Sequence, residues 1–385
     1  MNSAIETRSK LPDVGTTIFT VMSALARECD AINLSQGFPD YDGPQALREA
    51  LARHTLGGDN QYAPMAGVMA LREQIAAKLA RYYQIEACPD TEITVVPGAT
   101  EAIYCAITAC LHPGDEAILL DPAYDSYQPA VALSGGVARR VPLVEPDFSV
   151  DWQAVEDAIG PRTRLIIINS PHNPTGAMLG DSDMQRLQAL ASQHDLWVIS
   201  DEVYEHLVFD GQPHCSVLKY PGLRERSFAT FSFGKTFHIT GWKTGYCVAP
   251  PALTRELRKV HQFVAFVAVT PVQLALADFM AAEPDFPASL GPFYQAKRDR
   301  FCRALADSRF ALTPSAGSYF QLLDYSAISA EHDTALAERL TREVGVASIP
   351  VSVFSEAPLR GRYLRFCFAK TDEVLDRAGE ILCRI

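Results

Sequence analysis

Short apolar runs alternate with helix-forming stretches over roughly residues 40–280, and this alternation constrains the fold more than any other feature of the sequence. Runs of Ile, Leu and Val with few interruptions are typical of strands covered on both faces of a sheet. Their alternation with helices predicts parallel strands joined by crossover helices. The predicted strands are residues 93–96, 116–120, 165–168, 197–200, 227–231 and 244–248, and the predicted helices include residues 101–109, 181–193 and 251–260.

The last hundred residues have a different pattern, which predicts a smaller α+β layer. Residues 294–308 and 334–343 are predicted helices, and residues 319–323 and 363–368 are predicted strands, after a proline-containing joint at 282–292. The first 35 or so residues are too short for a domain and are expected to pack on this tail. We therefore expect a large domain, residues 39–280, and a small domain formed by residues 1–38 and 281–385.

Composition excludes several classes of protein. The 385 residues are 48% hydrophobic and 21% charged, which suggests two or three ordered domains with a large core. The net charge of -12 argues against binding to nucleic acid or to an anionic membrane. The longest apolar stretch, residues 263–269, is too short to cross a bilayer, and the polar start of the chain predicts no signal peptide.

Cysteine and histidine are scattered along the chain. Nine cysteines without a Cys-x-x-Cys pair predict reduced thiols in a cytoplasmic protein. His206, His214 and Cys215 come closest to a cluster, but their spacing matches no common zinc pattern. We therefore expect no metal.

Lys235 is the candidate for covalent chemistry. It lies in Ser232-Phe233-Gly234-Lys235-Thr236-Phe237, and Lys243 follows eight positions later. An amine condenses with an aldehyde only while it is neutral, and a second cation and a hydroxyl nearby would lower its pKa and hold an anion. Pyridoxal 5'-phosphate (PLP), an aldehyde with a phosphate, requires these features. Alternatively, Lys235 is a surface lysine in a glycine-rich loop.

Further polar residues follow the predicted strands, where open α/β sheets bind their ligands. Ala99 and Thr100 begin a helix after the first strand, so their backbone N–H groups could bind a phosphate, although Thr100 could instead be an N-cap. Asn173, in an Asn-Pro-Thr-Gly string after residues 165–168, can present its amide to a phenolate oxygen, although the string could simply form turns.

Two more strand ends carry candidates for binding an aromatic ring. Asp201 could pair with a pyridinium N–H and keep it protonated, and Tyr204 could reach the 3-oxygen of the ring. The alternative for Asp201 is a helix cap. Tyr124 could stack on a flat heteroaromatic ring, although an isolated tyrosine is more often part of a core.

Arg365 is the candidate for binding a carboxylate, since an arginine on an alternating strand can form a two-point fork with it. Arg360 and Arg362 lie nearby, and spacing alone does not select among the three.

Taken in their order along the chain, these candidate residues and the strings around them resemble the class I/II aminotransferases of the fold-type I PLP enzymes. The resemblance covers nearly the whole chain. Within that family the sequence is most similar to the methionine aminotransferases and the kynurenine–glutamine transaminase group. The resemblance implies a large domain with a mostly parallel seven-stranded sheet between helices. The strings that carry it are Gly98-Ala99-Thr100, Asn173-Pro174-Thr175-Gly176, Asp201 with Tyr204, Ser232 with Lys235, Arg365, Ser35-Gln36-Gly37-Phe38-Pro39-Asp40, Asn60-Gln61-Tyr62-Ala63-Pro64 and Thr16-Thr17-Ile18-Phe19.

The resemblance also implies how the cofactor is bound. Lys235 would bind PLP covalently, Asp201 would pair with the ring nitrogen, Asn173 and Tyr204 would bond the 3-oxygen, and Tyr124 would stack on the ring. The residues implied for the phosphate are Ala99, Thr100, Ser232 and Lys243, together with Tyr62 of a neighbouring subunit, so a homodimer with a shared active site is expected.

For the substrate, the resemblance implies that Arg365 binds the α-carboxylate with help from Asn173 and the Gly37 backbone. Phe19 would line the side-chain pocket, as would Ile18, Tyr62 and Phe266. The implied reaction moves the amino group of a neutral, methionine-like or aromatic L-amino acid to a 2-oxo acid by a ping-pong mechanism.

The chain departs from its relatives at three positions. Many relatives carry a hydroxyl residue just before the reactive lysine and an arginine at the second cationic position, where this chain has Gly234 and Lys243. Fewer side-chain contacts to the phosphate are therefore expected. Phe266-Val267 stands where kynurenine-type transaminases often have an aromatic residue followed by histidine, which favours a thioether or aromatic donor over kynurenine. The alternatives are a kynurenine/glutamine transaminase with cysteine-conjugate β-lyase activity, another PLP lyase, and a non-catalytic sensor domain.

Overall fold

The computed structural model describes residues 8–385. In the first half the elements are α1 (Ile18–Glu28), β1 (Ile32–Asn33), α2 (Gln45–Gly57), α3 (Met69–Tyr83), β2 (Ile93–Val96), α4 (Ala99–Cys110), β3 (Glu116–Asp121), α5 (Tyr127–Leu133), β4 (Val137–Pro142), α6 (Trp152–Asp157), β5 (Thr163–Asn169), α7 (Asp181–Gln193) and β6 (Trp197–Asp201). The second half contains α8 (Pro221–Arg224), β7 (Ser227–Ser232), α9 (Phe233–Thr236), β8 (Gly245–Val248), α10 (Pro251–Val264), α11 (Thr270–Ala282), α12 (Leu290–Ala304), β9 (Phe320–Asp324), α13 (Asp333–Arg339), β10 (Val346–Ala347), β11 (Ile349–Pro350), β12 (Tyr363–Cys367) and α14 (Asp372–Leu382).

The central sheet has seven strands in the order β2-β8-β7-β6-β5-β3-β4. Strand β8 runs antiparallel to both of its neighbours, and all other pairs are parallel. The predicted α/β class and the mostly parallel seven-stranded sheet are therefore confirmed. Because β2, β3, β5, β6 and β7 run in one direction, their carboxyl ends meet at one edge of the sheet, where the polar candidates follow them.

Successive strand residues pack on opposite faces of this sheet, as the pleat requires. In β5, Ile166 and Ile168 belong to a core shared with Met184 of α7. Leu165 and Ile167 belong to a second core that includes Leu253 of α10. Helices thus cover both faces of the sheet, which explains why the sequences of the central strands are nearly continuous apolar runs.

The tail forms a separate layer with its own core. Strands β11, β12 and β9 make an antiparallel sheet, and β1 pairs in parallel with β10. Met22 and Leu34, from the start of the chain, share a core with Leu323 and Leu364 of the tail. Arg365, in the middle of β12, bonds Asn173, which follows β5 of the central sheet.

Several predicted boundaries differ from the structure. Strand β4 was not predicted, because it is an edge strand whose Arg139 and Arg140 interrupt the apolar pattern. The helix predicted at 294–308 is α12 (Leu290–Ala304), which begins within the predicted joint and ends four residues earlier than expected. In the turn that follows, the Ser308 hydroxyl donates to the Leu305 carbonyl at 2.7 Å. Within residues 8–385, none of the helices combines the length and the apolar content needed to cross a bilayer.

Candidate active site

A cavity of about 280 Å³ opens at the carboxyl edge of the central sheet and faces the small layer. Fifteen residues were expected to bind the cofactor or the substrate or to line the side-chain pocket, and twelve of them line this cavity. Those that do are Phe19, Gly37, Ala99, Thr100, Tyr124, Asn173, Asp201, Tyr204, Ser232, Lys235, Lys243 and Arg365. The structure therefore brings together residues from five strand ends and from the small layer.

Lys235 lies in α9, a single turn that directly follows β7. Its Nζ donates hydrogen bonds to the Gly37 carbonyl at 3.2 Å and to the Tyr319 hydroxyl at 2.6 Å. Burial lowers the pKa of the Lys235 amine to about 8, and the positive charges of Lys243 and Arg365 act in the same direction. A substantial fraction of this amine is therefore neutral at mildly basic pH, as a nucleophile requires.

Asp201 is the last residue of β6 and is almost fully buried. Its carboxylate accepts hydrogen bonds from the Tyr127 hydroxyl at 2.5 Å and from the Val203 amide at 3.3 Å. Burial raises the pKa of Asp201 to about 6, against the effect of these two bonds. Both hydrogen-bond donors are neutral, so this carboxylate suits a cationic N–H group presented by a ligand.

Asn169 connects the two neighbouring strand ends. Its side-chain Nδ2 donates to the Asp201 carbonyl at 2.8 Å, and its Oδ1 accepts from the Asn173 amide at 2.8 Å. The position of Asn173 is thus fixed relative to Asp201. Because all three residues are buried, this connection is rigid.

Arg365 is 1% exposed and has only neutral hydrogen-bond partners. Nη1 donates to Asn173 Oδ1 at 2.6 Å and Nη2 to the Ser35 carbonyl at 3.0 Å, while Nε has no partner within residues 8–385. The guanidinium carbon lies 3.9 Å from the centre of the Phe320 ring and 5.2 Å from that of Phe19. A buried guanidinium that is bonded only to neutral oxygens is suited to bind a carboxylate.

One end of the cavity carries hydrogen-bond donors for an anion. Gly98 (φ 88°) precedes α4, whose first backbone N–H groups, beginning at Ala99, have no partner within the helix. A Cβ atom on Gly98 would lie 3.3 Å from Lys243 Nζ, so this ammonium lies close against the turn. Ser232, at the end of β7, adds a hydroxyl. Backbone N–H groups, a hydroxyl and an ammonium are the donors that bind phosphate.

Tyr62, which was expected at the phosphate site, does not line the cavity of its own chain. Its side chain is 84% exposed and lies edge-on against Phe266, with 5.4 Å between ring centres. Phe266 and Ile18, also expected in the side-chain pocket, do not line the cavity of their own chain. Ile18 packs instead against the core of the small layer, and the Tyr62–Phe266 pair lies on an apolar surface.

Four residues at the site were not singled out from the sequence. Tyr319 bonds Lys235, Tyr127 bonds Asp201, Phe320 covers Arg365, and Asn169 connects two strand ends. Asn169 could have been found, because it ends an apolar strand in the same way as Asp201. Tyr319 and Phe320 come from the small layer, and no sequence spacing relates them to Lys235.

Another polar cluster lies beside the first turns of α4. Glu101, Cys105 and His261 have ligand atoms within 4.8 Å of one another. His261 Nδ1 is 2.8 Å from a Glu101 carboxylate oxygen, to which the Cys105 thiol also donates. These hydrogen bonds account for the cluster, which fixes α4 relative to α10.

Comparison with known proteins decides the family. Residues 30–382 match the family of aminotransferases of class I and II. The chain belongs to this family. It is an aminotransferase, and the resemblance drawn from the sequence is confirmed.

Similar proteins span the full length of the chain. A methionine aminotransferase of Escherichia coli (strain K12) is 53% identical over 99% of both chains. A probable N-succinyldiaminopimelate aminotransferase of Mycobacterium tuberculosis (strain CDC 1551 / Oshkosh) is 40% identical over 97% of this chain and 96% of its own. A kynurenine–oxoglutarate transaminase of Dictyostelium discoideum is 32% identical over 96% and 94%.

A solved structure is similar over the same extent. YbdL from E. coli, for which a methionine aminotransferase function was identified, superposes with a TM-score of 0.97. It shares 52% sequence identity over 99% of this chain and 100% of its own.

Proposed function

We propose that this aminotransferase binds PLP through Lys235 and transfers the amino group of a neutral, methionine-like or aromatic L-amino acid to a 2-oxo acid. The observation that carries the proposal is the pairing of two groups in one cavity. The Lys235 amine has a lowered pKa, and the Arg365 guanidinium has neutral partners only. One can react with an aldehyde, and the other can bind the carboxylate of an amino acid.

The residues of the cavity fit PLP at each part of the molecule. Asp201 would pair with the pyridine nitrogen, and the buried carboxylate would hold the ring protonated. Asn173 and Tyr204 would bond the 3-oxygen, and Tyr124 would lie against the ring. The residues for the phosphate are Ala99, Thr100, Ser232 and Lys243. When bound, such a cofactor supplies an electron sink for the negative charge that develops at the α-carbon of an amino acid.

The chain itself positions the substrate and moves the proton. Arg365 and Asn173 bind the α-carboxylate, which fixes the α-carbon relative to Lys235. Lys235 Nζ, once free and neutral, would accept the α-proton as general base, and the ammonium so formed would give the proton up again as general acid. The product 2-oxo acid leaves before the second 2-oxo acid binds, so the kinetics are ping-pong.

The lining of the cavity supports a donor with a neutral side chain. Phe19 and Phe320 lie beside Arg365, and within residues 8–385 Arg365 is the only arginine that lines the cavity. An apolar pocket separates side chains that differ by one methylene group by only about 1–3 kcal/mol, so broad specificity is expected. The 53% identity to a methionine aminotransferase supports the same choice.

A kynurenine/glutamine transaminase with cysteine-conjugate β-lyase activity is the second candidate. Relatives named for kynurenine are less similar, at 32% identity for the Dictyostelium protein. Phe266-Val267 also lacks the histidine common in that group. We therefore rank kynurenine below methionine and phenylalanine as a donor.

We also propose a homodimer in which Tyr62 of each subunit completes the phosphate site of the other. Its exposed ring supports this role, and so do exposed apolar residues on nearby segments, Leu56, Phe263 and Val269. The division into domains at residues 38/39 and 280/281, and a location in the cytoplasm, stay predictions.

A donor panel tests the proposed reaction. Purified protein is mixed with methionine, phenylalanine, aspartate or kynurenine, and the conversion of the pyridoxal to the pyridoxamine form of the cofactor is followed by absorbance. We expect the largest kcat/KM with methionine and phenylalanine, and no conversion with Lys235→Ala. A higher kcat/KM with aspartate would contradict the proposal, and pyruvate plus ammonia formed without an acceptor would identify a lyase.

A further inference from the structure

Tyr319 is a buried residue of the small layer whose hydroxyl reaches the reactive amine. It accepts a hydrogen bond from Lys235 Nζ at 2.6 Å and donates its own proton to the Gly37 carbonyl. That carbonyl also accepts a hydrogen bond from Lys235 Nζ at 3.2 Å. Lys235, Tyr319 and Gly37 therefore form a closed triangle of hydrogen bonds, and two of its members come from outside the central sheet.

The triangle offers the amine two hydrogen-bond acceptors, which is the number that a neutral amine can use. A neutral amine has two N–H groups and one lone pair, whereas an ammonium has three N–H groups. The Tyr319 oxygen and the Gly37 carbonyl bond both N–H groups of the neutral form. The lone pair then remains free for a proton or an electrophile in the cavity.

The triangle is held in place by packing. The Tyr319 ring lies edge-on against Tyr204 and Phe320, with ring centres 5.0 and 4.9 Å away. An added Cβ at residue 37 would lie 2.8 Å from the Phe320 ring, so a larger residue here would displace this ring. Neither acceptor can turn away from Lys235 without repacking these aromatic rings.

We propose that Tyr319 is a positioning residue: with the Gly37 carbonyl it orients the free Lys235 amine so that its lone pair can accept the α-proton. This role rests on the proposed function of Lys235. Other groups that face the amine are the Asp201 carboxylate, the Lys243 and Arg365 cations, the Cys367 thiol and the Tyr204 ring. The hydrogen bonds of the amine go instead to Tyr319 and to the Gly37 carbonyl.

The test uses the holoenzyme after reaction with excess amino donor, because Lys235 is then free and the cofactor is in its amine form. Competitive labelling with trace acetic anhydride, followed by mass spectrometry of the Lys235 peptide, gives the pKa of this amine. Tyr319→Phe should lower this pKa by about half a unit to one unit, because an acceptor stabilises the charged donor more than the neutral one.

The same variant should slow the chemical step and leave substrate binding unchanged. In single turnovers with methionine, we expect Tyr319→Phe to react about three- to tenfold more slowly at unchanged Kd, with a larger effect of α-deuteration. Tyr325→Phe is the matched control. It removes another buried hydroxyl of the small layer, one that donates to the Glu331 carbonyl at 2.9 Å and does not line the cavity.

The outcomes separate the two proposals. A protein that takes up no PLP would contradict the proposed function itself. If PLP is bound but Tyr319→Phe matches Tyr325→Phe in Lys235 pKa and in single-turnover rate, the role of Tyr319 is refuted. If Tyr319→Phe does not fold, 3-fluorotyrosine at position 319 keeps the ring and weakens the oxygen as an acceptor. A smaller pKa shift in the same direction would then support the proposal, and an unchanged pKa would refute it.

Discussion

At the scale of single residues, the site is defined by three ionisable side chains. None of the three has an oppositely charged hydrogen-bond partner. Asp201 is bonded by a tyrosine and a backbone amide, Arg365 by an asparagine and a carbonyl, and Lys235 by a tyrosine and a carbonyl. Burying a charge in this way costs free energy, which is recovered when a ligand supplies the missing partner. The three groups match a ring N–H, a carboxylate and an aldehyde.

Arg365→Lys tests the carboxylate site. The lysine keeps the charge but loses the planar fork, so we expect kcat/KM for methionine to fall about 10- to 100-fold with an unchanged cofactor spectrum. Arg362→Lys is the matched control, since Arg362 is a nearby arginine exposed to solvent. Equal steady-state kinetics for the two variants would contradict this role of Arg365.

Asp201 should make the stability of the cofactor-free chain depend on pH. Burial raises its pKa to about 6 from 3.8. The folded state therefore holds the proton more tightly than the unfolded state, and the free energy of unfolding should decrease as the pH rises from about 4 to about 6. The decrease due to this group is about 3 kcal/mol.

The measurement is urea unfolding of the cofactor-free chain between pH 4 and pH 7. Asp201→Asn cannot ionise, so the difference in unfolding free energy between parent and variant should change across this range. If this difference in unfolding free energy stayed constant between pH 4 and pH 7, the pKa of Asp201 would be the same in the folded and the unfolded chain.

At the scale of elements, function depends on turns that place helix starts at the strand ends. Gly98 (φ 88°) makes such a turn between β2 and α4, beside Lys243 Nζ. Gly114 has the same φ of 88° but no atom within 4 Å of an added Cβ. Comparing variants of the two glycines therefore distinguishes the effect of backbone strain from the effect on the binding site.

We expect Gly98→Ala and Gly114→Ala to lose similar stability, about 1 kcal/mol or somewhat more, because both force a residue with a Cβ into positive φ. Only Gly98→Ala should also weaken PLP binding, by about tenfold or more, through the displaced Lys243 and helix start. Thermal unfolding and PLP titration measure the two effects. Equal PLP affinity in both variants would exclude a phosphate site at this turn.

The sequence predicted the central strands well, because their burial on both faces leaves an uninterrupted apolar pattern. Residues 93–96 match β2 at both ends. Strand β4 was missed because its exposed edge carries arginines, and Tyr319 was missed because it reaches Lys235 through tertiary packing alone. Residues whose role follows from a strand end could be found from sequence, and residues brought in by the second layer could not.

At the scale of the whole molecule, an exposed apolar surface predicts the dimer. Phe263 is 86% exposed at the end of α10, beside the edge of the sheet formed by β2. Phe263→Asp should weaken the dimer by about 10²–10⁴-fold, since two phenylalanines are lost across a two-fold interface. Val144→Asp, after β4 at the opposite edge, is the control. Sedimentation over a range of concentrations measures the dissociation constant of the dimer for both variants. An unchanged constant in Phe263→Asp would show that this surface is not the dimer interface.

The proposed sharing of active sites between two subunits predicts complementation between inactive variants. Tyr62→Ala and Lys235→Ala should each be impaired alone. When they are mixed, unfolded and refolded together, heterodimers would contain one site with both Lys235 and Tyr62 intact. In an equal mixture about one site in four should recover activity. Activity equal to the mean of the separate variants would show that each chain completes its own site.

Covalent attachment of the cofactor to Lys235 is tested most directly by borohydride reduction of the purified holoprotein, proteolysis and mass spectrometry. We predict one pyridoxyl phosphate group, on the peptide that contains Lys235, and none in the Lys235→Ala variant. Attachment to another lysine, or none after incubation with PLP, would contradict the proposed function.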